Sequence, residues 1–429
     1  MDALLFFRDM IEAQKRGEAA GVCSVCSAHP LVLEAAMERA AALGRPLLLE
    51  ATANQVNQYG GYMGMTPEDF RDMAYGVAGR CGLPEESLIL GGDHLGPVQW
   101  RGENEAEAMQ KAEALIRMFV SAGFAKIHID TSMHLKDDDP AAPLPASTVA
   151  RRAARLCKAA EEAAQAAEEA AQAAPVYVIG SEVPPPGGAT GNDESISVTT
   201  VESLRETIGC FREAFVRSGL EDAWERVIAA VVQPGVEFSD NHVALYGRAA
   251  AGELTGYVKA MDSIVLEGHS TDYQPKACLA EMKEDGIAIL KVGPALTFAL
   301  REGLFALEQI ERALFHKEPA GGYSGFSEAL DAAMLENPAY WVSHYRGTEE
   351  EIALKRKYSL SDRCRYYLSE ARVAEAIRRL QENLSGGIPL GLLMQYMPRQ
   401  AEEALSGGLK ADAFSLAKAK VREVLDTYD

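Results

Sequence analysis

The stretch Ser87-Leu-Ile-Leu-Gly-Gly-Asp-His-Leu-Gly-Pro97 decides the fold. A short apolar run ends abruptly in two glycines, an acid and an imidazole. Such a run is too short for a helix, and its chemistry sits wholly at its C-terminal end. Seven further runs share this form: Gly21–Ser27, Pro46–Glu50, Lys126–Asp130, Val176–Glu182, Val227–Val232, Ser263–Glu267 and Ile287–Val292. Most are near-continuous Val, Ile and Leu, as parallel strands covered by helices on both sides require.

Between the runs lie amphipathic helical stretches with clear punctuation. Thr66-Pro67-Glu68-Asp69 supplies an N-cap, a first-position proline and first-turn acids. Met109, Ala112, Ile116, Phe119 and Val120 share one helical face, which stops at Gly123. Eight strand–helix repeats in about 300 residues predict a closed (β/α)₈ TIM barrel over residues 1–318. An open doubly wound sheet is the alternative, and no G-x-G-x-x-G opens the first crossover. From residue 319 the pattern turns to helices without strands, so residues 319–429 are expected to form a helical extension packed on the barrel. Ala153–Ala174 is alanine-rich and predicts an extended exterior helix.

The 429 residues carry a formal net charge of −21, with 48% hydrophobic and 24% charged residues. That surface repels nucleic acid and anionic membranes, which excludes both as partners. It also repels a sugar phosphate at long range, so a phosphate site must be built locally. No run of 18 apolar residues spans a membrane. Met1–Gly17 reads as an amphipathic opening helix, and seven scattered cysteines fit a reduced cytoplasm. Cys23 and Cys26 lie in a strand on opposite faces and read as packed thiols.

Barrel chemistry sits at strand C-termini. Those ends carry Asp93-His94, His128 with Asp130, Glu182, Gln233 with Glu237, Glu267 with His269, and Lys291. Two histidines and a carboxylate converging there match a catalytic divalent metal with an open position, Zn²⁺ first, with Mn²⁺, Co²⁺ or Ni²⁺ as alternatives. His128 and Asp130 share inward parity, and His128 reads as a core histidine satisfied by a carboxylate, with a direct metal-ligand role as the alternative. Ser270, Thr271, Asp272, Lys291 and Gly293, at the ends of strands seven and eight, are the expected phosphate cradle. Asn54, Gln55 and Gln58 are placed to meet sugar hydroxyls or to brace their own loop. Asp137-Asp138-Asp139 reads as a solvated loop tip. Arg363 and Arg365 bring charge from the tail, either to a phosphate or to the surface.

GVCSVCSAHPLV, LLEATANQVNQYGGYMGMTP, GGDHLGP, KIHIDTSM, VIGSEVPPPGG, VVQPGVEF, EGHSTDYQ, ILKVGPALTFALRE and YSLSDRCRYY together resemble the GatZ/KbaZ family, from about Arg16 to Gln395–Pro398. That family is named for the non-catalytic subunit of class II tagatose-1,6-bisphosphate aldolase and is similar to class II aldolases. The resemblance implies that Asp93 moves protons and that His94, His269 and Glu182 hold zinc. It departs at the sixth strand, where Gln233 and Glu237 stand in place of a third zinc histidine. It further implies a metal-dependent ketohexose-phosphate C4 epimerase acting on fructose 6-phosphate and tagatose 6-phosphate by retro-aldol chemistry. Asp93, Asp130 and Glu182 would then be the proton carriers and Gln233 a substrate contact. The alternatives are an accessory subunit that stabilises a catalytic aldolase, or the aldolase itself. A homo-oligomer is expected.

Overall fold

A computed structural model describes residues 2–168, 173–180 and 196–429. Eight parallel strands close into a barrel in sequential order. They are Val22–Val25, Leu47–Thr52, Leu88–Leu95, Lys126–Ile129, Val176–Ile179, Val227–Val232, Val265–Gly268 and Ile287–Val292. Each coincides with one of the eight apolar runs. The first strand pairs with the eighth through Val22↔Ile289 to Val25↔Val292, which closes the ring. A two-residue antiparallel hairpin, Glu237–Phe238 with Val243–Ala244, follows the sixth strand and has no sequence signature long enough to predict.

Helices cover the outside because their apolar faces and the outward strand residues bury one another. Ile127 and Ile129 face this shell and are 0% exposed. Thr66 accepts from the Asp69 amide while Asp69 returns the bond, a complete capping box. The alanine-rich segment forms the helix Ala146–Glu168. It buries Ala153, Leu156, Cys157 and Ala160. The end of that run, residues 169–172, lies outside the described residues.

The opening helix Ala3–Lys15 seals the barrel floor. Its Phe7, Met10 and Ile11 join Leu48, Ile89, Val176, Val178, Ile228 and Val265 in one apolar cluster. Lys15 Nζ donates to Val258 O and Ile264 O, at 2.9 and 2.8 Å, fixing the plug to a strand entrance. Polar access is therefore left to the opposite end.

The tail folds back onto the barrel. Its last helix, Ala413–Leu425, runs against the barrel helix Pro294–Leu314. A Cβ on Gly303 would stand 3.1 Å from Ala417 Cα, so glycine is what permits the close crossing. Lys418 pairs with Glu34 at 3.2 Å and Arg39 with Asp426 at 2.7 Å. Barrel helices and tail share one apolar cluster. Asp137, Asp138 and Asp139 bind the protein's own amides, and Asp138 also pairs with Arg152 at 2.8 Å. Among the described residues, no helix is long and apolar enough to cross a membrane.

Candidate metal centre at the barrel mouth

Above the apolar floor the inward strand residues are charged. Glu50, Lys126, Glu267 and Lys291 form a buried lattice. Lys126 Nζ lies 2.7 Å from Glu50 and 2.8 Å from Glu267. Lys291 Nζ lies 2.9 Å from Glu50 and 2.5 Å from Asp93. Ser24 donates to Glu50 at 2.7 Å. A Cβ on Gly91 would meet Glu50 Cγ at 2.7 Å, so the first glycine of the Gly-Gly pair clears the slot for that carboxylate.

On this lattice stand three imidazoles. The His94 backbone is left-handed, at φ 48°, which turns its ring off the strand edge into the mouth. His94 Nδ1 lies 3.0 Å from Asp130 Oδ2 and donates to it, leaving Nε2 as the free lone pair. His269 Nε2 lies 2.8 Å from Glu267 Oε1 and donates to it. His128 Nε2 donates to Gly180 O at 2.9 Å, while its Nδ1 accepts from the His94 amide at 3.2 Å. That Nδ1 also stands 2.9 Å from Asp93 Oδ1. The three ring centroids are 4.8 to 5.3 Å apart, each pair edge to face. One donor atom from each of Asp93, His94, His128 and His269 falls within 4.8 Å of the others.

The crossing of the third and fourth strand ends depends on Gly96. A Cβ there would sit 1.7 Å from Asp130 O. The approach lets the Asp130 amide donate to Leu95 O at 3.0 Å and brings Asp130 to His94.

The electrostatics follow from burial and charge count. Four carboxylates, Glu50, Asp93, Asp130 and Glu267, face two ammonium groups, Lys126 and Lys291. Burial opposes ionisation of Asp93, but His94 and Lys291 outweigh it and hold its pKa well below the carboxylate range. Burial likewise opposes charge on His94, yet Asp93 and Asp130 raise its pKa. His269 is pushed down to about 3 by burial and by the nearby cations, so it stays neutral. A two-charge anionic surplus beside three oriented imidazoles is the donor chemistry a divalent cation fits. Each imidazole's second nitrogen is already fixed by a carboxylate or a carbonyl.

Above the imidazoles opens a cavity of about 220 Å³, lined by Asn54, Gln55, Asp93, His94, Asp130, Ser132, His269, Ser270, Lys291 and Gly293 among others. Glu182 lies outside the described residues. Other expected contacts lie elsewhere. Gln58 donates to Lys111 O at 3.0 Å and lines a separate depression beside Tyr59, because its loop turns outward. Gln233 turns back on its own loop, accepting from the Gly235 and Val236 amides at 2.8 and 3.0 Å. Thr271 donates to Lys291 O at 2.6 Å and sits 3.1 Å from Tyr428 OH, away from the cavity.

The expected phosphate cradle is also altered. Asp272 accepts from the Gly293 amide at 3.0 Å and from Ala295 at 2.7 Å, so the donors are taken. Burial raises the Asp272 pKa to about 6. Lys291 is bound up in the carboxylate lattice.

Lys126 and Glu50 were legible only as charged residues interrupting apolar strands; Lys126 shares the inward parity of His128. The tail residues Arg365 and Tyr366 line the same cavity, as does Tyr62. Cys26 lines it too, with burial pushing its thiol pKa well up, while Cys23 packs against the helix side.

A family model described as D-tagatose-1,6-bisphosphate aldolase subunit GatZ/KbaZ-like matches residues 7–429. The chain is 47% identical over 422 residues, 98% of each chain, to D-tagatose-1,6-bisphosphate aldolase subunit GatZ of Salmonella heidelberg (strain SL476). The protein of the same name from Salmonella agona (strain SL483) matches with the same identity and coverage. The crystal structure of a probable tagatose 6 phosphate kinase from Sinorhizobium meliloti 1021 superposes with a TM-score of 0.85 at 44% identity. The match covers 95% of this chain and 99% of that one.

Proposed function

Because the chain belongs to the GatZ/KbaZ-like family, we propose that it is a subunit of class II tagatose-1,6-bisphosphate aldolase that carries a divalent-metal site for the ketose phosphate. The observation that carries this reading is the 47% identity, across 98% of both chains, to relatives bearing that subunit's name. The epimerase reading takes second place. What favours it is the oriented set of three imidazoles and an acid contained in one chain.

His94, His128 and His269, with Asp93 beside them, would hold the metal. When bound, a divalent metal supplies Lewis-acid polarisation of the ketose C2 carbonyl. Asp130 and Glu267 orient His94 and His269 by taking their other N–H groups. Lys126 and Lys291 keep Glu267 anionic, and Lys291 with His94 does the same for Asp93. Asp93, ionised and on the cavity floor, accepts the C4 hydroxyl proton as the C3–C4 bond breaks and returns it on recombination. An aldolase releases the two fragments; an epimerase retains them, rotates the aldehyde half and rejoins them. Burial favours retention, and the closed apolar floor leaves one exit.

The test uses the metal-reconstituted chain with a chelated control, alone and beside an active aldolase partner. Products of fructose 6-phosphate and tagatose 1,6-bisphosphate are followed by NMR. A longer half-life or higher activity of the partner, with no turnover by the chain alone, is the result expected of a subunit. Chelator-sensitive tagatose 6-phosphate from the chain alone would replace that reading with the epimerase. Triose phosphates from the chain alone would replace it with a stand-alone aldolase.

A further inference from the structure

The cavity has two non-imidazole cations among its described lining residues, Lys291 and Arg365. Their circumstances differ. Lys291 lies among Asp93, Glu50 and Glu267, at 2.5, 2.9 and 3.4 Å. Its charge is spent within the barrel. Arg365 arrives from the tail, and among the described residues its hydrogen bonds go to neutral acceptors. Nη1 donates to Ser361 O at 2.6 Å and Asp362 O at 3.0 Å, and Nη2 to Tyr366 OH at 3.1 Å. A guanidinium carries five N–H donors, so further donors remain for a ligand. The group lies over the Tyr366 ring, 4.5 Å from its centre.

Arg365 is also held in place by its surroundings. Three residues before it, Asp362 is left-handed at φ 47° and buried. Its carboxylate takes Thr297 Oγ1 at 2.6 Å and Arg301 Nε at 3.0 Å, both on the helix that leaves the eighth strand. A strained backbone held by two bonds to the barrel is how the tail delivers a cation to the mouth. Tyr62, from the loop after the second strand, meets Tyr366 edge-on with centroids 4.6 Å apart, closing the other side.

We infer that Arg365 is the phosphate anchor of this site and selects phosphorylated over free ketoses. The inference rests on the ketose-phosphate reading above. Two observations exclude the usual position. Asp272 occupies the Gly293 and Ala295 amides, and its carboxylate opposes an anion placed there. In a chain of net charge −21 a phosphate needs a local cation not already neutralised. Arg365, near Asp362 and Asp272 but hydrogen-bonded only to neutral acceptors, meets that need better than Lys291, and its planar fork suits two phosphate oxygens.

Isothermal titration of the zinc-loaded full chain with fructose 6-phosphate, fructose and inorganic phosphate tests this. In Arg365→Met the ratio of fructose 6-phosphate to fructose affinity should fall by about 10–100-fold, the range for a charged hydrogen bond lost. Inorganic phosphate binding should fall in parallel. Arg365→Lys keeps the charge without the fork and should fall between the two. It also serves where the methionine variant fails to fold. Wild-type affinity ratios in both variants would overturn the anchor, as would a wild-type chain that binds neither phosphate species. Arg365-dependent phosphate binding without any fructose binding would keep the anchor and overturn the ketose reading instead.

Discussion

Leu48 and Glu50 stand two residues apart on one strand, both pointing inward and both 0% exposed. Around Leu48 the interior is filled by Ile89, Val176, Ile228, Val265 and the plug residues Phe7 and Met10. Around Glu50 it is filled by Lys126, Lys291 and Ser24. The floor is held by apolar burial, which is non-directional and tolerates repacking. The mouth is held by charges that must each find an opposite charge, because an isolated buried ion costs far more than a cavity. The apolar floor also explains why the charge is one-sided. Strands five and six contribute only apolar residues, so the lattice draws on strands two, three, four, seven and eight. The two layers should therefore fail differently when perturbed.

Lys126→Met gives the largest expected effect. It leaves Glu50 and Glu267 short of a cation and should destabilise by about 3–5 kcal/mol, read from the urea midpoint. Adding Glu50→Gln should recover part of the loss. If the single substitution is neutral, the lattice is not carrying buried charge and the contrast between the layers collapses. Leu48→Ala comes next, at about 3 kcal/mol from lost transfer and a residual cavity. Metal content by mass spectrometry should remain at the wild-type level, since Leu48 belongs to the apolar cluster and not to the group of possible metal donors.

Asp130→Asn should leave the fold standing and weaken metal binding about 10–100-fold, measured by competition with a chelating dye. Unchanged affinity would mean that Asp130 does not orient His94 toward a metal. The smallest effect is expected at Gln58→Ala, which should stay within about 0.5 kcal/mol and leave sugar affinity unaltered by titration calorimetry. A clear loss of affinity there would bring the loop after the second strand back into the site.

Much of this could be read from the chain. All eight strands were visible as apolar runs, because a parallel strand covered on both faces must be apolar nearly throughout. Asp93, His94, Asp130 and His269 were visible as polar groups at strand ends, where the fold puts its openings. His128 is legible as inward, either a core histidine or a ligand, and its closeness to His94, His269 and Asp93 is not. Parity gives the face a residue points to and not the distance to a ring on another strand. Gln58, Gln233 and Thr271 show the same limit. Each has a strand-end position, and each turns to a local amide or carbonyl that sequence position does not reveal.

What the sequence determined by itself is the periodic part: the barrel, its helices, its caps, and the end where charge collects. Those follow from local pattern and from the cost of exposing apolar surface. Tertiary structure alone decided which charges meet. Glu50, Lys126, Glu267 and Lys291 come from four strands, and Arg365 from a tail more than 70 residues past the last of them. Electrostatic pairing depends on separation in space, and only closure of the barrel and the return of the tail bring these groups within a few ångströms.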